Sequence, residues 1–131
     1  MIEDTIAAWH DCIKTTDPVK LDALLHEEAT FHSPVVHTPQ QGKNITAKYL
    51  LAAFQVLNND DFKYVREIVG PSDAVLEFTT TIDGIVINGV DLIQWGDDGR
   101  ITDFKVMVRP LKAINLVHQK MAEMLTRSAW N

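Results

Sequence analysis

Apolar positions recur at helical spacing over the first sixty residues and alternate beyond them, so the chain reads as helices followed by a sheet. Ile2, Ile6, Trp9 and Ile13 make one stripe on a first helix that ends before Thr16. Asp17 then caps a short second helix, with Pro18 at its first position, Leu21, Leu24 and Leu25 on its buried face and an end near Glu27. Ala29 to Ser33 reads as a short strand. Pro34 to Gly42, which holds two prolines and a glycine, reads as an irregular loop. From Asn44 to Leu57, Ile45, Tyr49, Leu50, Ala53, Phe54 and Leu57 predict a third helix with a wide apolar face, stopped by Asn58, Asn59, Asp60 and Asp61.

Four strands are predicted next, at Phe62 to Val69, Ala74 to Ile82, Ile85 to Trp95 and Arg100 to Arg109, punctuated by turn residues that favour antiparallel hairpins. Pro110 opens a last helix, with Leu111, Ile114, Val117, His118, Met121, Met124 and Leu125 clustered on one side. This order predicts an α+β fold in a single domain spanning 1–131, with helices packed on one curved antiparallel sheet.

The turns also set register. A two-residue loop at Asp83-Gly84 pairs Ile82 with Ile85 and therefore places Asp91 opposite Leu76. Asp91 then shares a face with Ala74, Leu76, Phe78 and Ile82 of one strand and Ile85, Ile87, Ile93 and Trp95 of its own, joined by Phe104, Val106 and Val108 if the loop after Trp95 has two or four residues and by Asp103, Lys105 and Met107 if it has three. A carboxyl on so apolar a face has two outcomes open to it. It pairs with a partner such as Arg109 or Lys105, or it raises its pKa and becomes a hydrogen-bond donor.

Composition narrows the partners. Eighteen acidic against twelve basic residues give a net charge of −6, which argues against nucleic acid or an anionic membrane surface and suits a small neutral ligand. The longest apolar run, Tyr49 to Phe54, is far short of the roughly 20 residues a membrane span needs. An acidic start at Glu3 and Asp4 and a lone Cys12 point to a cytoplasmic chain. No Cys pair, His-x-His or His-Glu-x-x-His pattern suggests a metal site, and no Gly-x-Gly-x-x-Gly suggests a nucleotide, so no cofactor is expected.

Three stretches carry a family resemblance: Asp17-Pro18 through Leu24-Leu25-His26-Glu27-Glu28-Ala29-Thr30-Phe31-His32-Ser33-Pro34, then Gly42 leading into the third helix, and Val90-Asp91-Leu92-Ile93-Gln94-Trp95 followed by Asp98-Gly99-Arg100-Ile101. With these the chain resembles the nuclear transport factor 2-like superfamily, and within it the SnoaL-like and ketosteroid isomerase-like proteins. The resemblance implies a cone-shaped fold, an apolar pocket between the sheet and the helices, and a homodimer formed through the outer sheet face.

Residue by residue, Asp91 stands where the ketosteroid isomerases carry the carboxylic acid of their oxyanion hole, an enzyme in which that neutral acid works beside a Tyr donor and an Asp base. Trp9 takes the Tyr position and Ser33 the base position. Gly89, two before Asp91, departs from the Arg-x-Asp pattern of limonene epoxide hydrolase-like members, and Arg109 stands where the SnoaL-like cyclases carry a late acid.

The combined expectation is a small, mostly apolar ligand anchored by Asp91. If the protein is an enzyme, the chemistry is a cofactor-independent isomerisation, cyclisation, dehydration or hydrolysis with Asp91 as acid or donor. Ser33 and the loop residue His37 are the further candidates for catalysis. Trp9, Phe31, Tyr49, Phe54, Leu76, Phe78, Phe104 and Val106 are the expected ligand-binding wall, with Met107 and Met121 as additional cavity candidates. The competing expectation is a ligand carrier or dimeric interaction module whose pocket is filled by its own side chains.

Overall fold

The computed structural model describes residues 2–129. Along the chain run α1 (Thr5–Thr15), α2 (Pro18–Leu24), β1 (Leu25–His32), β2 (Gln40–Gln41), α3 (Lys43–Leu57), β3 (Lys63–Val69), β4 (Asp73–Ile82), β5 (Ile85–Trp95), β6 (Ile101–Arg109) and α4 (Leu111–Ala129). Together they build the α+β cone with an added C-terminal helix.

Local chemistry accounts for the starts of the helices. Asp4 caps α1 by accepting from the Ala7 N–H at 3.0 Å, and Asp17 caps α2 by accepting from Val19 N–H at 2.9 Å. Ile2 therefore lies before the first helix. Its backbone N–H donates to the Asp98 carbonyl at 2.9 Å, and the Thr5 hydroxyl donates to the Gly99 carbonyl at 2.7 Å. Gly99 has φ +80°, and a Cβ there would lie 2.3 Å from the Ile2 carbonyl oxygen, so only glycine lets the β5–β6 turn and the N-terminal segment meet this closely.

The second helix stops at Leu24 rather than near Glu27, because fully buried Leu25 pairs with Ile101 and sheet pairing overrides the helical pattern; His26 is thus on a strand. The sheet, in order β2-β1-β6-β5-β4-β3, is mixed rather than wholly antiparallel. The β3 to β6 meander is antiparallel as expected, but β1 lies parallel to β6, a pairing made across most of the chain that no local turn signals.

The inner face of the sheet holds the core. Trp9, Phe31, Phe78 and Phe104 are fully buried there, joined by Leu21, Leu24, Leu50, Leu76, Ile87 and Ile93. In α4 the stripe is rotated from the one predicted. Ala113 and Val117 are buried with Leu116 and Met121 packed beside them, while Leu111 is 72% exposed and His118 is exposed.

Candidate functional site

The site is assembled by two hairpins that share β4. At Asp83-Gly84 both turn residues have positive φ, 52° and 77°, the conformation whose twist suits a two-residue hairpin. Ile82 pairs with Ile85, and Leu76 with Asp91, as the turn predicts. On its other side Asp91 pairs with Val106, and Ile93 with Phe104, which brings Phe104, Val106 and Val108 to the inner face. Gly89 faces Phe78 so closely that a Cβ would lie 2.4 Å from the ring and 2.6 Å from the Met107 carbonyl. That missing side chain makes room for the Phe78 ring.

Asp91 is 6% exposed, and its partner is neither Arg109 nor Lys105. Arg109 donates to Asn88 at 3.3 Å, and Lys105 pairs with Leu92 and His32 in the sheet ladder. The partner is Tyr64 of β3, whose hydroxyl donates to Asp91 Oδ2 at 2.5 Å. Trp9 Nε1–H donates in turn to the Tyr64 hydroxyl oxygen at 3.0 Å. Burial pushes the Asp91 carboxyl up to about 7, against the opposing pull of the Tyr64 hydrogen bond. The Tyr64 phenol is itself held well above its ordinary value, first by burial and then by the adjacent carboxylate. An acid of this kind can give or take a proton near neutral pH.

Tyr64 was not anticipated as part of the site. Counting back from the Gly70 to Asp73 turn in a regular ladder would set Val65 opposite Phe78 and turn Tyr64 outward. The observed strand carries a bulge: Arg66 pairs with Glu77 and Tyr64 with Phe78, leaving Val65 extra and half exposed. The one sequence signal available was the aromatic repeat Phe62-x-Tyr64.

Around this chain lies a narrow cavity of about 50 Å³. Asp91, Ser33, Trp9, Phe31, Phe54, Phe104 and Val106 all line it, as do Tyr64, Phe62, Asn58 and the α4 residues Val117 and Met121. The other expected residues lie elsewhere. Leu76 and Phe78 are buried behind the wall, with Phe78 stacked on Phe62 at 5.3 Å, and Tyr49 stacks on Phe31 at 5.3 Å. Met107 is 51% exposed, and His37 is exposed in the loop after β1. His32 alternates with Phe31 along β1, turns out of the cavity and meets Asp103 at 2.8 Å. Ser33 Oγ accepts from the Val35 N–H at 3.1 Å, and Asn58 Nδ2 donates to the Ile13 carbonyl at 2.8 Å. Among the described residues no cluster of His, Cys, Asp and Glu could hold a metal ion, and no helix is long and apolar enough to cross a membrane.

Residues 6–104 match the SnoaL-like domain family, and the chain belongs to it. Among solved structures it is similar to a steroid delta-isomerase from Pseudomonas aeruginosa, at 34% identity, with 97% of this chain and 93% of that one covered and a TM-score of 0.90. It is also similar to an uncharacterized protein conserved in bacteria with a cystatin-like fold from Silicibacter pomeroyi DSS-3, at 30% identity, 93% and 85% coverage and a TM-score of 0.84. A hypothetical protein with a ketosteroid isomerase-like fold from Catenulispora acidiphila DSM 44928, solved in complex with trimethylamine, shares the fold at 13% identity, 87% and 91% coverage and a TM-score of 0.63. No curated protein matches the chain.

Proposed function

We propose that the protein binds a small, mostly apolar molecule in the inner-face cavity, with Asp91 as its polar anchor. The observation that carries this reading is a buried carboxyl, poised near neutrality, whose only protein partner among the described residues is a phenol at the edge of an aromatic cavity. Buried carboxyls held at such a cost concentrate at functional sites. The Pseudomonas aeruginosa relative carries the name of an isomerase, which adds support for proton-transfer chemistry here.

If the protein turns its ligand over, Asp91 is the group able to move a proton. Ser33 is too weak a base to act alone and is already turned to the Val35 N–H, and His37 stands outside the cavity wall. The chemistry is then a cofactor-independent isomerisation, cyclisation, dehydration or hydrolysis that one carboxyl and its phenol serve. Trp9, Phe31, Phe54, Phe104 and Val106 form the wall against the ligand.

The second reading, a carrier or interaction module with a self-filled pocket, draws on size. A cavity of about 150 Å³ takes benzene, and this one is a third of that. We also propose a homodimer through the outer sheet face, where Ile68, Val86 and Met107 are 62%, 59% and 51% exposed. Light scattering across a dilution series tests the dimer.

A thermal-shift screen of small ketones, lactones, epoxides, alcohols and amines, run on the natural protein and on Asp91→Asn, tests the ligand reading. A compound that raises the melting temperature of the natural protein and much less that of the variant supports Asp91 as the anchor. No shift by any compound in either protein supports the self-filled pocket.

A further inference from the structure

We propose that the occupant of the cavity is a small organic cation, an amine or quaternary ammonium, held by the Asp91 carboxylate and the aromatic faces around it. The inference rests on the small-molecule reading above and narrows it to one chemistry.

An indole N–H can only donate, so the Trp9 contact fixes the Tyr64 oxygen as acceptor and sends the phenolic hydrogen on to Asp91 Oδ2. When the carboxyl ionises, this 2.5 Å contact becomes a charge-assisted hydrogen bond. The Trp9 N–H and the Tyr64 O–H are thus consumed inside the protein, the first on Tyr64 and the second on Asp91.

Among the described residues, Asp91 presents an acceptor to the cavity, its Oδ1, that no protein donor takes up, and no polar side-chain atom is sealed without a partner. Asn58 spends one of its two amide N–H donors on Ile13 and keeps the other together with its carbonyl oxygen, and the Ser33 hydroxyl, which accepts from Val35 N–H, keeps a hydrogen to give. A ketone would need a donor where this site offers a carboxylate oxygen. An ammonium supplies the missing positive charge.

The walls agree. Trp9, Phe31, Phe54, Phe62, Tyr64 and Phe104 line the cavity, with Trp9 against Phe104 at 4.7 Å and against Phe54 at 5.5 Å. Aromatic faces are electronegative and attract cations, most strongly where water is excluded. No Lys, Arg or His among the described residues lines the cavity to compete for the carboxylate. Among the described residues the titratable group that touches Asp91 is Tyr64, and beyond it His10 on α1 pairs with Glu67 on β3 and meets the Tyr64 ring edge at 5.3 Å. The lining residues of α3, α4, β1 and β6 are uncharged.

Binding of tetramethylammonium, whose charge does not change with pH, is compared with that of neutral tert-butanol and of cyclopentanone between pH 5 and pH 8, followed through the NMR signals of the lining rings. The expected result is tetramethylammonium binding that tightens about 100-fold across that range, as a carboxyl titrating near 7 ionises. Asp91→Asn should weaken it at least about tenfold at pH 8. Tyr64→Phe, which keeps the ring and removes the donor, should move the midpoint of the pH profile upward, and His10→Gln should leave that profile in place.

Cyclopentanone binding that weakens above pH 7, with no tetramethylammonium binding, overturns the cation assignment and leaves the cavity as a ligand site with a donating acid. Failure of all three probes to bind overturns the cation assignment together with the small-molecule reading beneath it.

Discussion

The two hairpins on either side of β4 deliver the two ends of one hydrogen bond by different means. The β4–β5 hairpin is regular from the Asp83-Gly84 turn to the pairing of Asp73 with Gln94, and strict alternation carries Asp91 to the inner face. The β3–β4 hairpin begins regularly at Val69 and Ala74, then slips by one residue at Val65, and the slip carries Tyr64 to the same face. A regular ladder transmits register over a distance, so one inserted or lost residue reverses every side chain beyond it. A bulge absorbs one residue locally. Part of this site is therefore written in a turn, and part in a defect.

The sharpest way to break the comparison is to remove one residue from the regular strand. Deleting Val90, which pairs with Glu77 and Met107, forces either Asp91 and Ile93 or Ile87 and Gly89 onto the outer face. We expect no cooperative melting transition by circular dichroism and no dispersed NMR spectrum. A folded deletion protein would mean that β5 does not set the register of the sheet.

Next in size is the neutralisation of Asp91. Its folded-state pKa, near 7, lies above the ordinary carboxylate value of 3.8, so the folded protein keeps a proton that the unfolded chain has already released. This burial contributes nothing unfavourable below about pH 4, costs stability progressively as pH rises through 4 to 7, and costs most above that. Asp91→Asn should therefore stabilise the protein at pH 8 by on the order of 2–4 kcal/mol and by little at pH 4, measured by denaturant melts at both pH values. A loss of stability at pH 8 would show that the carboxylate is satisfied in the folded protein and belongs to a structural network.

How much of this was legible in the sequence follows from the kind of signal each feature leaves. The helix caps at Asp17 and Pro18, the meander and the Leu76 to Asp91 pairing rest on local chemistry, and the chain states them locally. The parallel docking of β1 on β6 and the strand character of Leu25 depend on residues some seventy positions away, so neither leaves a mark in a short window. Trp9, Ser33, Phe31, Phe54, Phe104 and Val106 line the cavity: alternation carries Phe104 and Val106 inward, the family resemblance points to Trp9 and Ser33 and covers Phe31, and the apolar face of the third helix carries Phe54. Tyr64 was missed because a bulge inverts alternation without any glycine or proline to announce it. His37 is a candidate only as an imidazole in a loop able to bend back over the pocket, and a loop after a strand end has no obligation to turn inward.

The Tyr64 end of the bond should respond less than the Asp91 end. Tyr64→Phe keeps the ring, which meets Phe62 at 5.3 Å and Phe78 at 6.5 Å, and deletes one oxygen. The Trp9 N–H loses its acceptor and the Asp91 carboxylate its donor, so a loss of about 2 kcal/mol is expected at pH 8. At pH 5, where Asp91 is protonated, the loss should shrink toward that of the stranded indole, about 1 kcal/mol. Equal losses at both pH values would mean that the phenol supports packing and has no electrical connection to the acid.

The smallest effect is expected from a change that looks as drastic as the first. Deleting Val65 removes the extra residue while Arg66 keeps its pairing with Glu77 and Tyr64 its pairing with Phe78. Alternation then runs regularly through both, with Tyr64 still inward and Arg66 still outward. The strand lies at the edge of the sheet and Val65 is 50% exposed, so little packing is lost, and the added twist of the bulge is the main thing given up. Stability within about 1 kcal/mol of the natural protein is expected, together with an unchanged pH dependence, because the Tyr64 to Asp91 contact survives. A collapse comparable to that of the Val90 deletion would instead assign the bulge an essential part in curving β3 over the cavity, and the two hairpins would then differ in geometry but not in tolerance.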